Sequence, residues 1–290
     1  MGQIGVNKEM SDTTFLKDNL SGAVPTEIAK DVIKNVIEQA SILKVCKHEN
    51  MSSDKKTLPK LTESGSASWV GEGEAINTTL PKFEYPQLKA CKLAIIVPVT
   101  KEKINDTIIN VMEEVKQAMA DAFSTAIDEA MIFGKNSPFD TNLVTAIGTQ
   151  KITATSSLDG DISNAMGLVE DNKFNCNNIL MGTTQKKVLR KLSNDSSYKG
   201  AISLSSAYDT PIEFVRNWDD SKALTITGDF TKAIVGTREG MEYEILKEAT
   251  IVSGEETINL AQRDMIAIKA TIRLGFLVAE PKAFAMVVNA

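Results

Sequence analysis

The sequence predicts an α+β fold, and three stretches carry that prediction: a long helix with one apolar stripe, an alternating closing strand, and two extended arms with glycines between them. The helical stripe includes Ile104, Ile108, Val115, Met119, Phe123, Ile127 and Ala130, with no proline or glycine from about Lys101 to Phe133. At 1.5 Å per residue such a helix extends roughly 45 to 50 Å, beyond the radius expected of a compact domain of this size. Gly134 ends it, and Ser137-Pro138 marks the stop. The closing strand puts Ile266, Ile268, Ala270, Ile272, Leu274 and Phe276 on one face and Lys269, Thr271 and Arg273 on the other.

Residues 1–22 are polar, with Phe15-Leu16 the sole apolar pair, and read as an arm that a partner must order. Pro25-Thr26-Glu27 suits a helix start, and Ile28, Val32, Ile33, Val36, Ile37 and Ala40 follow at helical spacing within residues 23–50. Residues 51–100 read as a long β-hairpin, with Lys82-Phe83-Glu84-Tyr85 alternating in polarity and Leu93–Val99 rich in branched residues. Its outer half, Glu63 to Leu80, has too few apolar residues for a core of its own, and such a hairpin generally needs another surface. The spine helix and its stop fill 101–139, and a mixed α/β lobe follows over 140–236. Within that lobe Ser163–Glu170 and Thr184–Leu192 read as helices, Asn178–Met181 and Ala223–Thr227 as strands. Residues 237–290 return as strands, and no internal repeat is visible.

Composition removes several classes of function. The 290 residues allow one or two domains with a sizeable core, and 42% apolar with 24% charged residues is ordinary globular chemistry. No apolar run is long enough to span a bilayer and no secretory pattern opens the chain, so a soluble protein made inside the cell is expected. The net charge of -6 and only five arginines argue against a protein that reads nucleic-acid sequence. Three cysteines and one histidine are too few for a disulfide framework or a multi-histidine metal site, and no cofactor or metal is expected.

Each candidate for chemistry has a plainer reading that fits better. Gly71-Glu72-Gly73 lacks the third glycine or the Gly-Lys-Ser/Thr of a nucleotide loop and reads as a turn. The pairs Glu72 with Glu74 and Asp219 with Asp220 sit in loop-like contexts with nothing to tune an acid. His48 lies at the polar exit of a helix, where it meets the helix dipole. Lys186, Lys187, Arg190 and Lys191 form a basic helix face, read as solvated. Cys46, Cys91 and Cys176 behave as small hydrophobes, and Met112, Met119 and Met131 fill core on the long helix. No catalytic constellation results, and an enzyme, such as a carboxylate-based hydrolase, is not expected.

The order of the segments resembles the major capsid proteins of tailed bacteriophages with the Hong Kong 97 fold. The matching pieces are Gly22-Ala23-Val24-Pro25 before a helix, the Ala67-Ser68-Trp69-Val70-Gly71-Glu72-Gly73 hairpin segment and a long helix ending at Phe133-Gly134. Gly228-Asp229-Phe230, Ile234-Val235-Gly236, and Arg273-Leu274-Gly275-Phe276 through Pro281-Lys282-Ala283-Phe284 complete the series over residues 22 to 290. The resemblance implies a long spine helix in a peripheral domain, an extended loop lying across a neighbour and an axial domain gathered at pentamer and hexamer axes. It implies a subunit interface at Trp69, Val70, Gly71, Glu72, Gly73 and Glu74 of the extended loop. The function implied is an icosahedral shell around double-stranded DNA, built in the bacterial host cytoplasm and carried in the virion. An acidic chain suits a container that holds DNA without gripping it. Only about 22 residues precede the matching region, so a separate scaffolding protein, or a trimmed form of the chain, is expected rather than a fused scaffold, with a portal as a further partner and no membrane. Some shells of this family join a loop lysine to a neighbour's asparagine with the help of a buried glutamate. The alternative on the same fold is an encapsulin-like nanocompartment enclosing an enzyme cargo.

Overall fold

The computed structural model describes residues 36, 39–63, 65, 67–73, 75, 78–101, 108–155, 157–195, 201–253 and 256–289. The arm over 1–22, most of the helix expected over 28–40, Ile104 and Glu74 lie outside them. Helix α1 (Ser41–Val45) leads into β1 (Lys47–Asn50), followed by β2 (Lys55–Thr57) and β3 (Lys60–Glu63). Strands β4 (Lys82–Glu84), β5 (Gln87–Lys89) and β6 (Cys91–Thr100) precede the long helix α2 (Ile108–Asp128), which widens into a π-helix over Glu129–Phe133. Next come α3 (Leu143–Ile147), β7 (Lys151–Thr153), α4 (Leu158–Asp171), β8 (Asn178–Gly182) and α5 (Lys186–Asn194). Strands β9 (Ser206–Ala207), β10 (Thr210–Val215), β11 (Thr225–Gly228) and β12 (Ala233–Leu246) follow. The hairpin β13 (Thr250–Ser253) and β14 (Glu256–Asn259), then β15 (Met265–Val278) and β16 (Phe284–Val288), close the chain.

Two compact units divide it. One contains Ala94–Met119 and Met241–Thr271 with residues 1–34. Its described core is small: Val99 and Ile266, with Val97, Val115 and Ile245 against them. Lys101 is tied to Asp264 through its backbone N–H at 3.1 Å and its ammonium at 2.5 Å.

The other unit contains Asn35–Leu93, Ala120–Gly240 and Ile272–Ala290. At its centre is a six-stranded mixed sheet in the order β7-β16-β11-β8-β10-β9. The amphipathic helix α4 lies across it. Leu158 and Ile162 pack on Ile179, Met181 and Ile212, with Leu189 of α5 beside them. Two turns on, Ala165 and Val169 pack on Ala285 and Val287. The next residues along these strands, Leu180, Ile226 and Met286, point to the other face and are also buried, so this lobe has apolar layers on both sides of its sheet. Phe230 and Phe284 meet edge to face at 5.3 Å.

The end of α2 in this unit is a joint. Asp128 is buried and its carboxylate accepts the N–H groups of Ser41 and Ile42 at 3.1 and 3.0 Å, capping α1 from a distant part of the chain. Ser41 then donates its hydroxyl to the Phe214 carbonyl at 3.1 Å. Burial pushes the Asp128 carboxyl up to about 6 against the two N–H bonds and Lys44, with Glu213 adding to the rise. Gly134 closes the long helix at φ 71°, a left-handed cap, where an added Cβ would run into the Asn142 side chain.

Two strand readings change. Leu93–Val99 belongs to β6, which is not a hairpin arm but the edge of a four-stranded sheet ordered β1-β12-β15-β6. Pro98 fits there because an edge strand tolerates a missing N–H. The closing strand β15 is buried on both faces: Ala267 and Thr271 are covered as well as the isoleucines, and only every fourth residue is half-exposed. No helix among the described residues is long and apolar enough to cross a membrane.

Candidate functional site

The candidate site is the hairpin over residues 55–89, and its root is built by glycines. Strands β2 and β5 pair antiparallel with Lys56 opposite Leu88. Leu88 is fully buried against Met51 and Ile234. It fits there because Gly236 of β12 and Gly275 of β15 lack a Cβ. At Gly275 a Cβ would sit 3.1 Å from Leu88 and 2.7 Å from the Lys89 carbonyl, and at Gly236 it would collide with Leu88 and Met51. The two glycines thus seat the base of the loop on the sheet. Lys60 adds an ion pair to Glu280 at 2.9 Å.

Beyond the root the hairpin stops burying side chains. Strands β3 and β4 pair Lys60 with Glu84 and Leu61 with Phe83, with a bulge between Leu61 and Glu63. Leu61 and Phe83 are each about half exposed, at 49% and 51%, although they face each other. At the tip Trp69 is wholly exposed and Leu80 is 85% exposed. Of the eleven exposed large apolar side chains among the described residues, six fall between Leu61 and Tyr85, so the exposure is concentrated on this loop. Val70, Gly71, Glu72 and Gly73 are exposed beside Trp69, Gly73 with φ 84°, while Glu74 lies outside the described residues. Leu61, Phe83 and Tyr85 were not among the expected site residues. The alternation Lys82-Phe83-Glu84-Tyr85 was their signal, but alternation alone does not tell a strand face that is buried from one that awaits a partner.

The other candidates each have local partners of their own. His48 Nε2 donates to the Leu43 carbonyl at 2.6 Å, an end group of α1. The Asp219 carboxylate accepts the backbone N–H and hydroxyl of Ser221, and chiefly that hydroxyl bond holds its carboxyl below the usual range. Asp220 takes the Thr184 hydroxyl at 3.1 Å. On α5, Lys186 stands over the Phe214 ring at 4.4 Å, while Lys187, Arg190 and Lys191 are exposed. Cys46 is buried, and that burial raises its thiol far above the ordinary value; burial also raises Cys91 and Cys176. Met119 and Met131 are buried on the long helix. The described residues contain no group of three or more His, Cys, Asp or Glu arranged to hold a metal.

Residues 21–289 match the phage capsid family. The major capsid protein of Staphylococcus phage 80alpha is 30% identical over 287 residues, covering 96% of this chain and 89% of that protein. A solved structure from Microbacterium phage Oxtober96 superposes with a TM-score of 0.74 at 28% identity, covering 87% of this chain and 91% of the other. One from Mycobacterium phage Adephagia gives 0.75 over 87% and 90% at 23% identity, a likeness of fold. The chain belongs to the phage capsid family. Its fold is of the Hong Kong 97 type, and its function is that of a tailed-phage major capsid protein, a component of the virion shell.

Proposed function

We propose that this subunit gathers into pentamers and hexamers that close an icosahedral shell around double-stranded DNA. In this reading the hairpin over 55–89 forms the extended loop, 101–139 the spine of a peripheral domain, and 140–236 the axial domain that meets its copies at the axes. The loop residues Trp69, Val70, Gly71, Glu72, Gly73 and Glu74 contact a neighbouring copy. The observation that supports it is the contrast within the hairpin: a root buried around Leu88 and a tip with Trp69 wholly exposed. Large apolar rings left in water are stabilised by a partner's pocket. Assembly takes place in the host cytoplasm with a scaffolding protein and a portal. The subunit's role is structural and not catalytic, and the acidic chain encloses DNA by proximity rather than by reading it.

Sedimentation across a wide range of protein and salt concentration, with negative-stain microscopy of the fast fractions, tests this. Capsomers or shells are expected, with total interface area per subunit beyond the standard class of roughly 1,600 Å². A strict monomer under every condition, scaffolding protein included, overturns it.

A further inference from the structure

An apolar cleft of about 170 Å³ opens beside the end of the long helix. Its walls include Leu93, Ala126, Ala130, Pro138, Phe139 and Leu274. Apolar cavities of about 150 Å³ are known to take up an aromatic ring. Its rim carries Lys135, which is paired with Glu129 at 3.0 Å, and Lys92, which is exposed and has no ion pair among the described residues. Among the described residues the Pro138 carbonyl takes only the weak thiol donor of Cys91, at 3.7 Å.

The loop tip is the complement of that cleft. Residues 63–80 contain three glutamates (Glu63, Glu72 and Glu74) and no lysine, arginine or aspartate, so the tip is an anion around one large ring. Trp69 is wholly exposed in its own subunit, so its own cleft is not where it rests. An indole needs an apolar slot for its body and an acceptor for its N–H. The cleft has the slot, an underused carbonyl and an unpaired cation at the rim.

We propose that Trp69 of one copy docks in this cleft of a second copy, with Glu72 beside Lys92. This rests on the reading that copies assemble through the extended loop, and it names where on the neighbour the loop ends. The ring supplies most of the contact, and the charge pair sets register and the rate of encounter.

Native Cys91 lines the cleft and offers a direct test. Particles assembled from a mixture of isotopically light and heavy Trp69→Cys subunits are treated with a short bis-maleimide and digested for mass spectrometry. A mixed-isotope cross-link between position 69 and Cys91 is expected, absent when Cys91→Ser is added. Glu72→Cys, which keeps the ring, serves where Trp69→Cys does not assemble. In parallel, Lys92→Glu is expected to raise the critical concentration for assembly about tenfold, and Glu72→Lys combined with it to recover most of that loss. A loop deleted over 64–79 separates the two levels. If the deletion blocks assembly while no cross-link forms at Cys91 and the charge swap fails to recover, the docking site is wrong and the loop reading stands. If the deleted subunit still builds shells, the loop reading itself falls and the docking site with it.

Discussion

The six-stranded lobe and the hairpin use apolar residues in opposite ways. In the lobe Leu180, Ile226, Phe230 and Met286 are buried to within 1%. In the hairpin Leu61, Trp69, Leu80, Phe83 and Tyr85 stand in water. Hydrophobic burial is worth about 25 cal/mol per Å², so the lobe spends that energy on its own fold and the hairpin holds it in reserve for contact with another molecule. Stability of the subunit and stability of the assembly therefore reside in different residues, and mutations should separate them.

Removing the hairpin tip has the largest expected effect. Deleting 64–79 and closing the loop abolishes shell formation while the isolated subunit keeps its far-UV helical signal, because the described core clusters draw nothing from the tip. Loss of helical signal together with assembly would show that the tip belongs to the subunit core.

Leu88 sharpens the boundary between the two behaviours, because it is on the hairpin by sequence and in the core by burial. Leu88→Ala should cost the isolated subunit about 2–5 kcal/mol, read as a lower urea midpoint. A shift close to zero would mean that the loop is hinged freely at its root rather than seated on Gly236 and Gly275.

Asp128 comes next and concerns the core side alone. Its carboxyl titrates near 6 in the fold against a usual value near 3.8, so the folded subunit binds this proton more tightly than the unfolded chain. The contribution is fully present below about pH 4 and is lost as pH rises through 6, a total of about 3 kcal/mol. Glu213 and Lys44 face the group from β10 and α1, and Cys46 lies near it. Urea titrations of unassembled wild type and Asp128→Asn at pH 4, 5.5 and 7 isolate it. The difference between the two proteins should move by that amount in favour of the variant as pH rises. A difference that stays constant with pH would mean the carboxyl is not desolvated.

Much of this contrast was legible in the sequence. The stripe from Val115 to Ala130, the stop at Gly134 and the glycine-rich tip around Trp69 all follow from local rules of period and turn chemistry. The root of the loop was not. Gly236 and Gly275 stood out as motif residues, but their purpose depends on Leu88, nearly 150 residues from one and 190 from the other, meeting them in space. Strand β6 was misread for a related reason: a branched run shows that a strand forms and not which sheet it joins. Asp128 gave no local sign at all, because its partners are the backbone N–H groups of Ser41 and Ile42, and any sequence supplies those.

The smallest expected effect is at the tip's covalent chemistry, where nothing should happen. Joining a loop lysine to a neighbour's asparagine requires an amine that is free to reach and held neutral by burial. Residues 63–80 contain no lysine, so the reaching part of the loop has no such nucleophile. Lys60, at the root, is held by Glu280 at 2.9 Å within its own subunit, and a carboxylate partner favours the charged ammonium that cannot attack. Lys82 stands opposite Glu63 in the strand register, also short of the tip. Assembled particles boiled in detergent and reductant should therefore run as one band near 31.5 kDa. A ladder of multimers surviving that treatment would mean that a root lysine crosses to a neighbour after all, and Lys60→Ala or Lys82→Ala would then remove the ladder and show which one.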